Sequence, residues 1–145
     1  MKDVTLRLAR PEDEEALSAL IDKAYARFRQ DIPDLPDVSA GLADDISTNT
    51  VFVAVSNGEI AGGAVAVLTD DRATLANLAV DPNHGGKGIG GALIEKVEDH
   101  VRQKGHTHLY LATHKDMPQN VSLYEHLGWV VSGQKGSKVT MKKAL

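Results

Sequence analysis

From Leu78 to Gly91 the chain reads Leu-Ala-Val-Asp-Pro-Asn-His-Gly-Gly-Lys-Gly-Ile-Gly-Gly. The segment runs from the end of an apolar, strand-like stretch through a turn into a helical pattern. A helix N-terminus leaves backbone N–H groups unpaired and aimed at one spot, and glycine removes the side chains that would hold a ligand off. Gly85, Gly86, Gly88, Ile89, Gly90 and Gly91 are therefore candidates for an anion site suited to a diphosphate, with Lys87 adding charge at the rim. A P-loop needs Ser or Thr after its lysine; Lys87 is followed by Gly88, so that reading fails. Gly86-x-Gly88-x-x-Gly91 does satisfy the dinucleotide fingerprint. Alone that is a weak signal, because the dinucleotide fold also needs parallel strands on both sides and a second mononucleotide half.

The strand before the turn carries a second signal. Leu75 and Leu78 are three apart, so the apolar phase flips between them, whereas strict alternation would keep one parity. The flip predicts a bulge near Ala76 to Leu78. His100, His106 and His108 invite a metal reading, but no carboxylate or further histidine stands at matching spacing, and no metal site is expected. The chain has no cysteine, which excludes disulfides, thiolate metal sites and a cysteine nucleophile.

These residues must be positioned by an ordered set of elements. Val4, Leu6 and Leu8 alternate as a strand. Pro11 and the acids after it open a helix whose apolar face carries Leu17, Leu20, Ile21, Ala24 and Phe28. A loop holding Pro33 and Pro36 follows, then a short helix from about Ser39 to Ser47. Val51 to Val55 and Ile60 to Leu68 are strands joined by the tight-turn pair Asn57-Gly58, and Ala73 to Val80 completes an antiparallel meander. After the glycine turn come a helix with Ile89, Leu93, Val97 and Val101 on one face, a strand from Leu109 to Thr113, and a helix opened by Pro118 and closed by Gly128. Strands at Trp129 to Val131 and Val139 to Met141 end the chain. The order predicts an α/β domain around one mixed sheet, with residues 1–145 as a single domain.

Composition narrows the function. Hydrophobic residues are 42% but aromatics only 4%, and the net charge is −4. Few rings and an acidic balance argue against nucleic-acid binding, which needs stacking platforms or a basic face. No apolar run approaches the ~20 residues that span a bilayer, and the N-terminus lacks a signal-peptide core. The expectation is a soluble, cytoplasmic protein that binds neither nucleic acid nor membrane.

The glycine turn and the strand end before it resemble the coenzyme A signature of the GNAT superfamily of N-acetyltransferases: an apolar-Ala-Val-x-Pro strand end, then Gln/Arg-x-x-Gly-x-Gly/Ala. Gly85 departs from it, standing where the family has Arg or Gln. A second stretch, Asn120-Val121-Ser122-Leu123-Tyr124-Glu125-His126-Leu127-Gly128-Trp129, is similar to the family's Asn-x-x-x-Tyr-x-x-x-Gly-Phe/Trp motif. The resemblance covers roughly residues 50 to 145. It implies the GNAT fold, a mostly antiparallel sheet of about seven strands splayed at the middle and flanked by about four helices. It also implies acetyl-CoA as co-substrate and direct transfer of the acetyl group to a primary amine of a small molecule or peptide.

In that family the pantetheine arm lies in the splay beside the bulged strand, so Leu78, Ala79 and Val80 become cofactor-binding positions, with the Val80 N–H as oxyanion donor. Asn120 would hydrogen-bond the arm, and Tyr124 would protonate the departing thiolate. Many members carry a glutamate base near the position of Asn77. Asn77 cannot serve, so His84 and His114 are the nearest candidates. The region holding Asp31, Asp34, Asp37, Asp44 and Asp45 often shapes the acceptor pocket in the family, where an acidic wall would draw a cationic amine. Dimers are frequent there, which leaves a homodimer open. Two rivals stand beside the enzyme: a catalytically idle acetyl-CoA sensor and a nicotinamide dinucleotide-binding protein.

Overall fold

A computed structural model describes residues 4–31, 41–84 and 88–145, the side chains of 27–31 excepted. Gly85, Gly86 and Lys87, the loop with Asp34 and Asp37, and the side chains of Phe28 and Asp31 lie outside the described residues. The strands are β1 (Val4–Leu8), β2 (Thr50–Ser56), β3 (Glu59–Leu68), β4 (Ala73–Val80), β5 (His108–His114), β6 (Val130–Lys135) and β7 (Lys138–Ala144). The helices are α1 (Glu14–Asp31), α2 (Leu42–Thr48), α3 (Ile89–Gln103) and α4 (Pro118–His126). The strands form one sheet in the order β1-β2-β3-β4-β5-β7-β6. Only β4 and β5 pair in parallel; every other neighbouring pair is antiparallel. The mixed α/β architecture expected from the sequence is the one observed. Element ends shift by a few residues: Trp129 precedes β6, and α2 runs to Thr48.

Alternation along the central strands supplies both faces. Val51, Val53 and Val65 pack with Leu17, Leu20 and Ile21 of α1, while Phe52, Ala54, Ala64 and Ala66 pack with Leu93, Ile94 and Val97 of α3. Glycines let the helices approach. A Cβ on Gly63 would stand 2.6 Å from a methyl carbon of Leu17, and one on Gly62 would meet Ile89 at 3.0 Å and Leu93 at 3.1 Å. Asn57 (φ 52°) and Gly58 (φ 79°) take the left-handed conformations that close the β2–β3 hairpin.

The expected bulge is present. Val65 pairs with Asn77 and Ala66 with Leu75, so Ala76 is the extra residue in β4. Its effect on parity is visible in the packing. Ala73 and Leu75 belong to the α3 side; beyond the bulge Leu78 and Val80 lie on that side and Ala79 on the α1 side. β4 then leaves β5. The parallel ladder joins only Thr74 with Tyr110 and Leu75 with Leu111, and the sheet opens below it.

Candidate active site

The opening between β4 and β5 is a cavity of about 510 Å³. One wall is the bulged stretch Leu75 to Leu78 and the other is Leu111 to His114. Met117, Asn120 and Tyr124 at and within α4, Tyr25 of α1 and the hairpin residues Ser137 and Lys138 complete the lining.

Backbone polarity on the β4 wall follows from register. The Asp81 N–H donates to the Ala61 carbonyl at 2.8 Å, which makes that pair a hydrogen-bonded one, and Gly62 opposes Val80 in the same register. Bonded and non-bonded pairs alternate in an antiparallel ladder. The N–H and C=O of Val80 and Leu78 therefore turn away from β3, toward the side where β5 has departed. The Tyr25 hydroxyl donates to the Leu78 carbonyl at 3.1 Å, consistent with that direction.

Beyond β4 a short 3-10 turn, Pro82–His84, leads toward α3. Asp81 holds it: its carboxylate accepts from the Asn83 N–H at 2.9 Å and from Lys23 at 3.1 Å. Both interactions keep the Asp81 carboxyl below the ordinary aspartate range, the backbone bond most, against a partial offset from burial. Gly88 is the N-cap of α3, with φ 75°. The first helical N–H groups, from Ile89 to Gly91, have no partner within the helix, and no acidic residue occupies its first turn. A Cβ on Gly91 would meet open space, and one on Gly90 would lie 3.5 Å from Val80. The Ile89 side chain is buried in the core, so Ile89 offers a ligand only its backbone. These features fit a diphosphate at the helix end.

The α4 motif has a local explanation. Gly128 (φ 101°) ends the helix; its N–H donates to the Glu125 carbonyl at 3.1 Å, and the Trp129 N–H donates to the Tyr124 carbonyl at 2.9 Å. This is a Schellman closure. It folds Trp129, 1% exposed, back against Tyr124 with the rings edge to face at 5.8 Å. One turn earlier, Asn120 lies over buried Met117, Nδ2 to Sδ 3.9 Å. Burial pushes the Tyr124 phenol well above the ordinary tyrosine range, and nearby Tyr25 adds to the effect. Tyr25 is raised by burial as well.

The candidate bases fare differently. His84 stands in the 3-10 turn four residues past the end of β4, outside the described lining of the cavity. His114 does end β5 and lines the cavity, 8% exposed. Its Nδ1 accepts the Asp116 N–H at 3.1 Å. In the neutral ring with Nδ1 so engaged, Nε2 carries the proton. Asp44 and Asp45, the described members of the acidic region, sit on α2 away from the cavity, with Asp45 accepting from Asn49 at 2.9 Å. Among the described residues no cluster of potential metal ligands occurs, and no described helix is long and apolar enough to cross a membrane. Tyr25 and the hairpin pair Ser137 and Lys138 were not singled out from sequence. Tyr25 shares a helix with a conspicuous apolar stripe, and only the tertiary contact with Leu78 distinguishes it.

Comparison with known proteins agrees with this geometry. The model of the Acetyltransferase (GNAT) family matches residues 15–129. The alanine N-acetyltransferase of ribosomal protein bS18 from Escherichia coli is 36% identical over 78 residues, 54% of this chain and 53% of that protein. The chain thus spans about half the length of such curated relatives. An acetyltransferase of Pectobacterium atrosepticum is 28% identical over 122 residues, 84% of each chain. In fold, the structure resembles the PaiA N-acetyltransferase of Thermoplasma acidophilum, solved in complex with coenzyme A, at TM-score 0.88 and 19% identity, covering 98% of this chain and 99% of that one. With the family model spanning most of its length, the chain belongs to the GNAT family of acetyltransferases.

Proposed function

We propose that this protein transfers the acetyl group of acetyl-CoA directly to a primary amine of a small molecule or peptide. The observation that carries the reading is the cavity in the splay between β4 and β5, with the Val80 N–H turned toward the open side and Tyr124 in the lining. The pyrophosphate would rest on the amides of Gly88 to Gly91, with Gly85, Gly86 and Lys87 completing the turn. The pantetheine arm would run beside Leu78, Ala79 and Val80 and hydrogen-bond to Asn120.

In the reaction the amine nitrogen attacks the thioester carbon and a C–N bond forms. The carbonyl oxygen becomes an oxyanion that the Val80 N–H stabilises. Collapse breaks the C–S bond, and the leaving thiolate takes a proton from the Tyr124 hydroxyl. The proton lost by the amine passes through water and restores the tyrosine, so the products are the amide and free coenzyme A. Before attack the acceptor would shed its proton to His114 at the cavity wall or to water, with His84 as the more distant candidate. The relatives named above support acetyl transfer as the chemistry, and the one acting on bS18 acts on an alanine amine. Absence of cysteine suits a reducing cytoplasm as the place of the reaction.

The test is release of free thiol from acetyl-CoA in the presence of an amine panel, with calorimetric binding of acetyl-CoA and NADH alongside. Acetyl-CoA binding with amine-dependent thiol release is the expected outcome. Tight binding with no release across the panel would make the protein a sensor, and preference for NADH would make it a dinucleotide-binding protein.

A further inference from the structure

The walls of the cavity are uneven in charge. Among the described residues that line it there is no aspartate or glutamate, and the one permanently charged side chain is Lys138. Lys138 is the first residue of β7, paired in register with His114, and it stands with Ser137 on the opposite side of β5 from the β4 wall. No described carboxylate lies within ion-pair distance of it. The hairpin is held in place: the Lys115 N–H donates to the Ser137 carbonyl at 2.8 Å, and the two ends of β6 and β7 pair through Lys135 and Lys138. The backbone that carries Lys138 is thus tied to the strand whose other residues wall the reaction space.

We propose that the acceptor is an amine carrying its own anionic group, a carboxylate or a phosphate, and that Lys138 selects it. This rests on the acetyltransferase reading and deepens it. A diamine or polyamine would bring a second cation toward Lys138, which would repel it. An amine with an anion a few bonds away presents the nitrogen to the thioester and the anion to Lys138 at the rim. Of the acidic region, Asp44 and Asp45 are not part of the lining; the Asp31 side chain, Asp34 and Asp37 lie outside the described residues.

The experiment is a matched series of acceptors of similar length: butylamine, putrescine, gamma-aminobutyrate and aminopropyl phosphate, each assayed by thiol release from acetyl-CoA. The expected order places the anionic amines above butylamine and putrescine last, with about tenfold or more in kcat/KM between the ends, as one pairing gained and one repulsion avoided would give. The carboxylate and phosphate arms tell which anion is preferred. Lys138→Glu should reverse the order through acceptor KM, with kcat little moved, and Lys138→Gln should flatten it. A structural role for Lys138 would lower all four rates together and leave the order intact, which overturns the proposal. Preference for putrescine by the unaltered protein also overturns it while leaving the acetyltransferase reading standing. No thiol release with any acceptor, despite bound acetyl-CoA, overturns the transferase reading itself.

Discussion

Tyr124 illustrates how one side chain is prepared by its surroundings. Its side chain is half-buried against Trp129 and the cavity, and desolvation there raises its pKa, with Tyr25 contributing second. A group whose acid form is favoured in this way stays protonated through neutral and moderately alkaline pH, where an ordinary phenol begins to ionise near ~10. Tyr124→Phe should therefore lower kcat by roughly one to two orders of magnitude, the usual worth of a general acid, and leave the acetyl-CoA Kd nearly unchanged. Unaltered turnover removes Tyr124 from the mechanism. The pH profile gives a second check. The rate should climb with pH as the acceptor amine deprotonates, and no falling limb due to Tyr124 should occur below about pH 10. A falling limb centred lower, abolished in the phenylalanine variant, would contradict the assignment.

At the scale of elements, the site depends on turns and caps remote from the cavity. Gly128 holds φ 101° so that α4 can end and Trp129 can return under Tyr124. An added Cβ would favour a different backbone, at about 1–2 kcal/mol for a left-handed residue, and would also press on the Lys143 side chain at 3.2 Å. Gly128→Ala should lower the unfolding free energy measured in urea by that amount and reduce kcat through a displaced Tyr124. Gly63→Ala overpacks the α1 face against Leu17 and should cost about 1–3 kcal/mol, measured the same way. The junction of β1 and α1 is electrostatic. Asp13 accepts two bonds from Arg7, at 2.7 and 3.1 Å, and one from the Arg10 N–H at 2.7 Å. The Arg7 bond is the largest influence holding its carboxyl below the usual range, with burial opposing. Because the folded pKa is lowered, this stabilisation is present above the unfolded aspartate pKa near ~3.9 and is lost as pH falls through the folded value. Asp13→Asn should cost about 1–2 kcal/mol at neutral pH and flatten the acid limb of the stability curve. An acid limb identical to that of the unaltered protein would sink the idea.

For the whole molecule, acetyl-CoA at the proposed site would bind the folded state alone, because that site would join the bulge of β4, the N-terminus of α3 and the face of α4. At a hundredfold excess over Kd the linkage is worth about 2.7 kcal/mol, which for a chain of this size raises Tm by roughly 5–10 °C. Scanning calorimetry with and without acetyl-CoA checks it; an unmoved Tm at saturating ligand would speak against the site. Much of this site was legible in the residues. Leu75 and Leu78 announced the bulge, since side-chain parity along a strand is a local property that an extra residue must break. Asn120, Tyr124, Gly128 and Trp129 announced α4 and its closure, since capping geometry spans only a few residues. The glycines from Gly88 to Gly91 announced a helix end without side chains. Each of these is a short-range rule, and the sequence alone determined them along with the α/β order. The glycines alone fit a dinucleotide as well as coenzyme A, and it was the antiparallel meander before them and Asn120 and Tyr124 after them, also in the sequence, that pointed to coenzyme A. The sequence did not separate His84 from His114, nor Tyr25 from its apolar neighbours. Those depended on where β4 parts from β5, a contact between segments more than thirty residues apart. Only the tertiary structure brought His114, Tyr25 and Lys138 to the same opening, because cavity walls are set by packing across the sheet and leave no periodic trace along the chain.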